Sequence, residues 1–168
     1  METLYHELTL GLHDRQQIAR IVIRLLAAFI LGGLVGVQRQ RTHKPAGLRT
    51  HMLVCVGTAV FVTTVGAVGM AFDAQSRVIQ GIITGLGFIG GGSILKLTQD
   101  HEIKGLTTAA GLWMTAAIGV TVGLGALGIA IITTILTLII LVIAMKVEKF
   151  VLHQRDPRSR GGPSEDHD

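Results

Sequence analysis

The sequence predicts an all-α membrane protein of five transmembrane helices packed as a glycine-rich bundle, with the N-terminus outside and the C-terminus in the cytoplasm. Three observations carry this. Between Ile18 and Met145 the apolar residues form long runs, and most charges lie between or outside them. The hydrophobic share is 49 %, so this distribution, rather than the total, separates the chain from a soluble protein. A span needs about 20 mostly apolar residues, and several windows qualify. The run from Gly81 to Leu97 carries six glycines, three of them consecutive. Glycine costs about 1 kcal/mol relative to alanine inside a helix, so that run points to close backbone contact or a deliberate break. Finally, the basic residues collect at one set of run ends.

Residues 1–17 form an extracytoplasmic segment of mixed charge. Leu4, Leu8 and Leu12 recur every four residues, which permits a short amphipathic helix at the membrane surface. A loosely ordered terminus fits equally well. The segment lacks the basic first region and small-residue cleavage site of a signal peptide.

The transmembrane domain is expected over 18–145, with spans near 18–37, 50–72, 78–97, 106–122 and 126–145. In the first span Arg20 can snorkel to the interface, whereas Arg24 lies deeper and needs water or a partner. Gly32 and Gly36 make a GxxxG packing face. The basic loop 38–50 is broken by Pro45 and Gly47. Asp73 closes the second span, and 73–77 is read as a short link. The third span holds the glycine-rich run, with Gly81, Gly85 and Gly87 as packing positions. A polar loop, TQDHEIKG, follows. Residues 106–145 then run for 40 residues without a charge. One helix of that length would reach about 60 Å, twice the hydrocarbon thickness, so the chain must fold back. Gly123, Gly125 and Gly128 mark the turn. Residues 146–168 read as a basic, disordered cytoplasmic tail.

The net charge of +4 and pI of about 9.7 do not indicate nucleic-acid binding, because the basic residues flank apolar runs. One side holds Arg39, Arg41, Lys44, Arg49, Lys96, Lys104, Lys146, Lys149, Arg155, Arg158 and Arg160, eleven in all; the other holds four, Arg15, Arg20, Arg24 and Arg77. The richer side is cytoplasmic by the positive-inside rule.

Few residues fit catalysis. Gly85, Gly87 and Gly90 match G-x-G-x-x-G, but a dinucleotide fingerprint needs a strand before it and a helix after it. The seven histidines show no ligand spacing, so no metal, cofactor or enzymatic activity is expected. Cys55 reads as a buried apolar residue. The spans contain no carboxylate of the kind a cation transporter places at the midplane. Depth does group polar residues at the cytoplasmic end: Gln38, Arg39, Arg49, His51, the Gly90, Gly91, Gly92 and Ser93 run, Thr107 and Thr108. We read these as a polar pocket, with Gly90–Ser93 a thin or broken piece of helix and Gly91 less tolerant of bulk than Gly69. At the outer end Arg24 is placed to pair with Asp73.

Five stretches together resemble the MgtC/SapB family of bacterial inner-membrane proteins. They are Gly33-Leu-Val-Gly-Val-Gln-Arg39, Lys44-Pro-Ala-Gly-Leu-Arg-Thr-His-Met-Leu-Val54, Ser76-Arg-Val-Ile-Gln-Gly, Thr84-Gly-Leu-Gly-Phe-Ile-Gly-Gly-Gly-Ser-Ile-Leu-Lys96 and Ile103-Lys-Gly-Leu-Thr-Thr-Ala-Ala-Gly-Leu-Trp113. The resemblance implies a multi-pass protein of the bacterial inner membrane. It also implies a non-enzymatic regulator or partner-binding protein linked to magnesium limitation, acid stress or virulence. Its partners would be the lipid bilayer, further copies of itself as a homo-oligomer, and a membrane protein such as an ATP synthase or P-type ATPase. A transporter or channel for a small solute is the alternative. The family usually carries glutamate beside the arginine after the first span, where this chain has Gln38-Arg39-Gln40. Only 23 residues follow Met145, so the chain resembles a short form lacking the family's C-terminal cytoplasmic domain.

Overall fold

The computed structural model describes residues 14–97 and 102–155. Five helices follow one another: α1 Arg15–Arg41, α2 Leu48–Ala67, α3 Phe72–Gly92, α4 Leu106–Gly123 and α5 Leu127–Arg155. Between α3 and α4 lies a two-stranded antiparallel ribbon, β1 Leu95–Leu97 with β2 Glu102–Lys104, in the register Leu95↔Lys104 and Leu97↔Glu102. The polar loop expected there is thus partly a β-ribbon, and the fold is all-helical apart from it. Four helices are long and apolar enough to cross a membrane, by length and composition: α1, α2, α4 and the Leu127–Val147 part of α5. In α3 the span is diluted by Gln75, Ser76, Arg77, Gln80 and the glycines.

Packing follows the small residues. On α1 the buried positions are Ala28, Leu31, Gly32, Val35, Gly36 and Arg39, one stripe at helical spacing. A Cβ on Gly32 would lie 2.6 Å from Cys55 Cβ, and one on Gly36 would lie 2.7 Å from Leu48 Cα. No side chain fits there, so α1 and α2 touch backbone to backbone. The other side of α2 meets a second GxxxG face on α4. A Cβ on Gly119 would collide with Thr58 Oγ1 and the Cys55 carbonyl, and one on Gly123 would sit 2.7 Å from Val62 Cβ. The contact order makes α1 antiparallel to α2 and α2 parallel to α4. The core between them contains Ala28, Leu31, Val35, Cys55, Ala59, Ile118 and Val122, joined by Ala130 and Leu141 of α5. The outward residues of α5, among them Ile132, Ile135 and Ile143, are exposed, as expected of side chains that face lipid.

The glycine-rich third helix behaves differently from expectation. It starts at Phe72 and ends at Gly92, so 73–77 is its first turns rather than a link, and Leu95–Leu97 has left the helix. It sits at the edge of the bundle with only Leu86 and Gly90 buried. Nothing lies within 4 Å of a Cβ placed on Gly81, Gly85, Gly87, Gly91 or Gly92. Only Gly90 meets a neighbour, with a Cβ position 3.6 Å from Ala109 Cβ. Within the chain, then, the packing glycines are Gly32, Gly36, Gly119 and Gly123. Gly91 has open space, whereas Gly69 adopts φ +70°, where a side chain is strained; this reverses the expected order of tolerance. The last helix, α5, runs through Arg155, so residues 146–155 are not a disordered tail. The Leu4–Leu12 segment and residues 156–168 lie outside the described residues.

Leucine at Gly119 must force α2 and α4 apart, at about 1–3 kcal/mol or more, while leucine at Gly91 meets nothing. Gly119→Leu is expected to lower the melting temperature of the purified protein, and Gly91→Leu to leave it near wild type. The reverse order in a thermal melt contradicts the packing described.

Candidate functional site

The buried stripe of α1 does not end with an apolar residue. It ends with Arg39, which is 2 % exposed. The α1–α2 contact that buries Gly32 and Gly36 carries Arg39 into the bundle one turn later. There Arg39 Nη2 donates to Thr108 Oγ1 at 3.0 Å. Its Nε has no hydrogen-bond partner among the described residues, and no carboxylate pairs with the guanidinium there.

His51 stands one helix across and is fully buried. Its Nδ1 is 2.7 Å from Thr115 Oγ1. The Thr115 hydroxyl donates to the Gly111 carbonyl at 2.8 Å. That uses its only proton, so its oxygen accepts from Nδ1–H. The ring's Nε2 has no partner among the described residues. Gly111 joins the two halves: a Cβ there would lie 3.6 Å from His51 Cε1 and 3.9 Å from Arg39 Nε. Gln38 adds an amide whose Nε2 and Oε1 are buried without partners among the described residues.

The expected pocket is therefore divided. Arg39 and Thr108 meet in the core. Arg49, Gly91, Gly92 and Thr107 are exposed. The Ser93 hydroxyl turns back to donate to the Gly90 carbonyl at 2.7 Å, which closes the end of α3 rather than facing Arg39. Gln40, the second glutamine of the loop, accepts from Leu48 N–H at 3.1 Å and caps α2. Gly105, just before α4, has φ +101°, and a Cβ there would collide with the Ser93 carbonyl. The glycine lets the ribbon fold against the start of α4. Thr115 was not singled out from the sequence. Its signal is spacing: Thr108, Gly111, Thr115, Gly119 and Gly123 fall on one face of α4, and His51 shares a face with Cys55 and Thr58 on α2.

At the other end of the bundle Arg24, on the same α1 stripe, donates from Nη1 to the Gly123 carbonyl at 2.8 Å. It binds the C-terminus of α4 instead of forming the expected pair with Asp73, which is exposed. The two arginines thus meet opposite ends of one helix, Arg24 at a backbone carbonyl and Arg39 at a side-chain hydroxyl. A cation at a helix C-terminus is favoured by the aligned peptide dipoles, and one at the N-terminus is opposed by them. Arg24 stabilises; Arg39 stands against both the dipole and burial. A buried cation without a counter-charge costs several kcal/mol, and groups kept in such positions concentrate at functional sites. Among the described residues no three histidine, cysteine, aspartate or glutamate side chains gather into a metal-binding group.

Comparison with known proteins places this arrangement. The chain is 42 % identical over 129 residues to Protein SrpB of Synechococcus elongatus, covering 70 % of this chain and 71 % of that protein. It is 41 % identical over 133 residues to the Putative magnesium transporter YhiD of Escherichia coli K12, covering 73 % of this chain and 60 % of that protein. It is 39 % identical over 127 residues to Protein MgtC of Salmonella typhimurium, covering 76 % of this chain but 53 % of that protein. The chain thus spans little more than half the length of the last two. No solved structure matches it. The model of the MgtC family matches residues 25–150, a range that holds Arg39, His51, Thr108 and Thr115 and reaches all five helices, and the chain belongs to that family of membrane proteins.

Proposed function

We propose that the chain is a bacterial inner-membrane domain that crosses the bilayer five times, N-terminus outside, and acts without catalysis by docking on another membrane protein when magnesium is limiting or the medium is acid. Crossing by α3 is supported by its neighbour. It lies antiparallel along α4 from the Gly90–Ala109 contact to the cavity shared by Ile79, Val120 and Thr121. A helix that follows a spanning helix along its length crosses the same slab. The orientation rests on the basic-residue asymmetry.

The observation that carries docking is the groove between α2 and α3. It has a volume of about 580 Å³ and is lined by Leu53, Gly57, Phe61, Gly81, Gly85 and Ile89, among others. Nothing lies within 4 Å of a Cβ on Gly57, Gly81 or Gly85. Backbone left bare on both walls is the surface that an incoming transmembrane helix uses. The occupant in this reading is a helix of an ATP synthase or a P-type ATPase. Arg39 is the polar part of the same reading, a charge kept at a cost to stability.

A second reading, transport of magnesium, is favoured by the name of the Escherichia coli relative. The two separate in proteoliposomes: the docking reading expects no magnesium flux from the purified protein. A photo-crosslinking residue at Ile89, on the groove wall, is expected to capture an ATP synthase or P-type ATPase subunit, and one at Ile132 is not. Gly85→Leu should abolish the capture at Ile89 with the protein still folded. Flux together with empty crosslinks at Ile89 sinks the docking proposal.

Replacing Arg39 by methionine removes an uncompensated buried charge at similar volume. Methionine leaves no charge to desolvate, so the substitution removes the cost of several kcal/mol that burying an unpaired ion carries. Arg39→Met is expected to melt no lower than wild type and to fail to support growth at low magnesium. A folded variant with full activity would show that the charge has no role.

A further inference from the structure

The end of the bundle opposite Arg39 holds a cavity that the reading above leaves unused. It has a volume of about 340 Å³ and opens between the start of α1, the end of α2, the first turn of α3 and the end of α4. Gln17, Arg20, Arg24, Thr63 and Gln75 supply its polar wall, and no carboxylate among the described residues lines it. Both helix C-termini that reach it are already answered within the chain. Gln17 Nε2 donates to the Ala67 carbonyl at 3.3 Å, and Arg24 Nη1 donates to the Gly123 carbonyl at 2.8 Å.

Three groups remain uncommitted. Arg20 is exposed and has no hydrogen bond or ion pair among the described residues. Thr63 is 5 % exposed, and its hydroxyl has no partner among the described residues. A buried hydroxyl without a partner costs about 1–3 kcal/mol. This one lines the cavity rather than bonding back to its own helix, as Thr58 and Thr134 do. Gln75 brings an amide from α3. The nearby acids, Asp14 and Asp73, are exposed and do not line the cavity.

Two guanidinium groups, two amides and a hydroxyl make a wall of donors with positive charge and no competing carboxylate among the described residues. Guanidinium groups match phosphate geometry with paired N–H donors. The rest of the wall is apolar, with Ile21, Val62 and Leu124, and it runs into the lipid-facing surface of α1 at Val22 and Leu26. We propose that this cavity binds a phosphate anion, either the headgroup phosphate of an anionic phospholipid or free phosphate. Arg20 donates to the phosphate oxygens, Thr63 and Gln75 donate to those that remain, and Arg24 adds charge from α1, where its guanidinium is held on the Gly123 carbonyl. The site stands apart from the α2–α3 groove and does not depend on the docking reading.

The test uses the full chain in nanodiscs of phosphatidylcholine alone or mixed with phosphatidylglycerol. Retained lipid is read by native mass spectrometry, and melting temperature is read with and without inorganic phosphate. Wild type is expected to retain phosphatidylglycerol over phosphatidylcholine, or to gain melting temperature with phosphate in phosphatidylcholine discs. The first outcome assigns the site to lipid and the second to free phosphate. Arg20→Gln is expected to weaken the effect roughly tenfold, as loss of a charge-assisted hydrogen bond does, and Thr63→Val to weaken it less. Arg20 is exposed, so its variant keeps the fold. Arg49→Gln, at the other end, should change nothing. Equal retention of the two lipids with no phosphate response overturns the proposal, as does a response that survives both Arg20→Gln and Thr63→Val.

Discussion

The close approach of α2 to α1 and α4 is the contact on which the rest of the molecule depends. Lipid offers no hydrophobic drive for helices to associate, so association rests on packing and on hydrogen bonds between helices. Gly32 and Gly36 on one side and Gly119 and Gly123 on the other let the backbone of α2 sit in direct contact with both neighbours. Threonine hydroxyls reinforce the seam: that of Thr58 bonds within α2 and lies 3.3 Å from the Ala116 carbonyl of α4. The buried Arg39, His51, Thr58, Thr108 and Thr115 take their positions from this three-helix contact.

The same contact determines what happens to the charged ends of α1. Its buried face carries an arginine near each end, and the bundle brings both to α4. Arg24 meets the carbonyl end and completes it. Arg39 meets the N-terminal turn, where the peptide dipoles already present positive charge, and finds a neutral hydroxyl. Electrostatics therefore separates two residues that look alike in the sequence. One is explained by stability. The other sits among polar groups, His51 and Gln38, that also keep atoms without partners among the described residues. Such a half-satisfied network is costly in a core.

The peripheral α3 shows the limit of reading packing from composition. Six glycines between Gly81 and Gly92 imply close neighbours, yet within the chain only Gly90 has one. The bare face leaves a groove against α2 instead. The chain belongs to the MgtC family and spans little more than half the length of the MgtC and YhiD relatives.

Much of the architecture is local and was legible in the sequence. Apolar runs, the length limit on the uncharged stretch 106–145 and the breakers at Pro45, Gly47 and Gly125 anticipate five helices in this order. Their ends differ from the expected spans: α2 stops at Ala67, α3 is displaced toward the N-terminus because its apolar C-terminal residues pair as a ribbon, and α5 runs on to Arg155. The GxxxG face of α1 and the residues of the family resemblance were also plain. Which glycines are packed, and which polar residues meet, depended on the tertiary structure alone. A helix has one buried face, and its direction is fixed only when the partner helices are in place. That choice turned Arg39 inward and left Arg49 outside. It gave Arg24 to a carbonyl rather than to Asp73, and it joined His51 to Thr115 across 64 residues of chain.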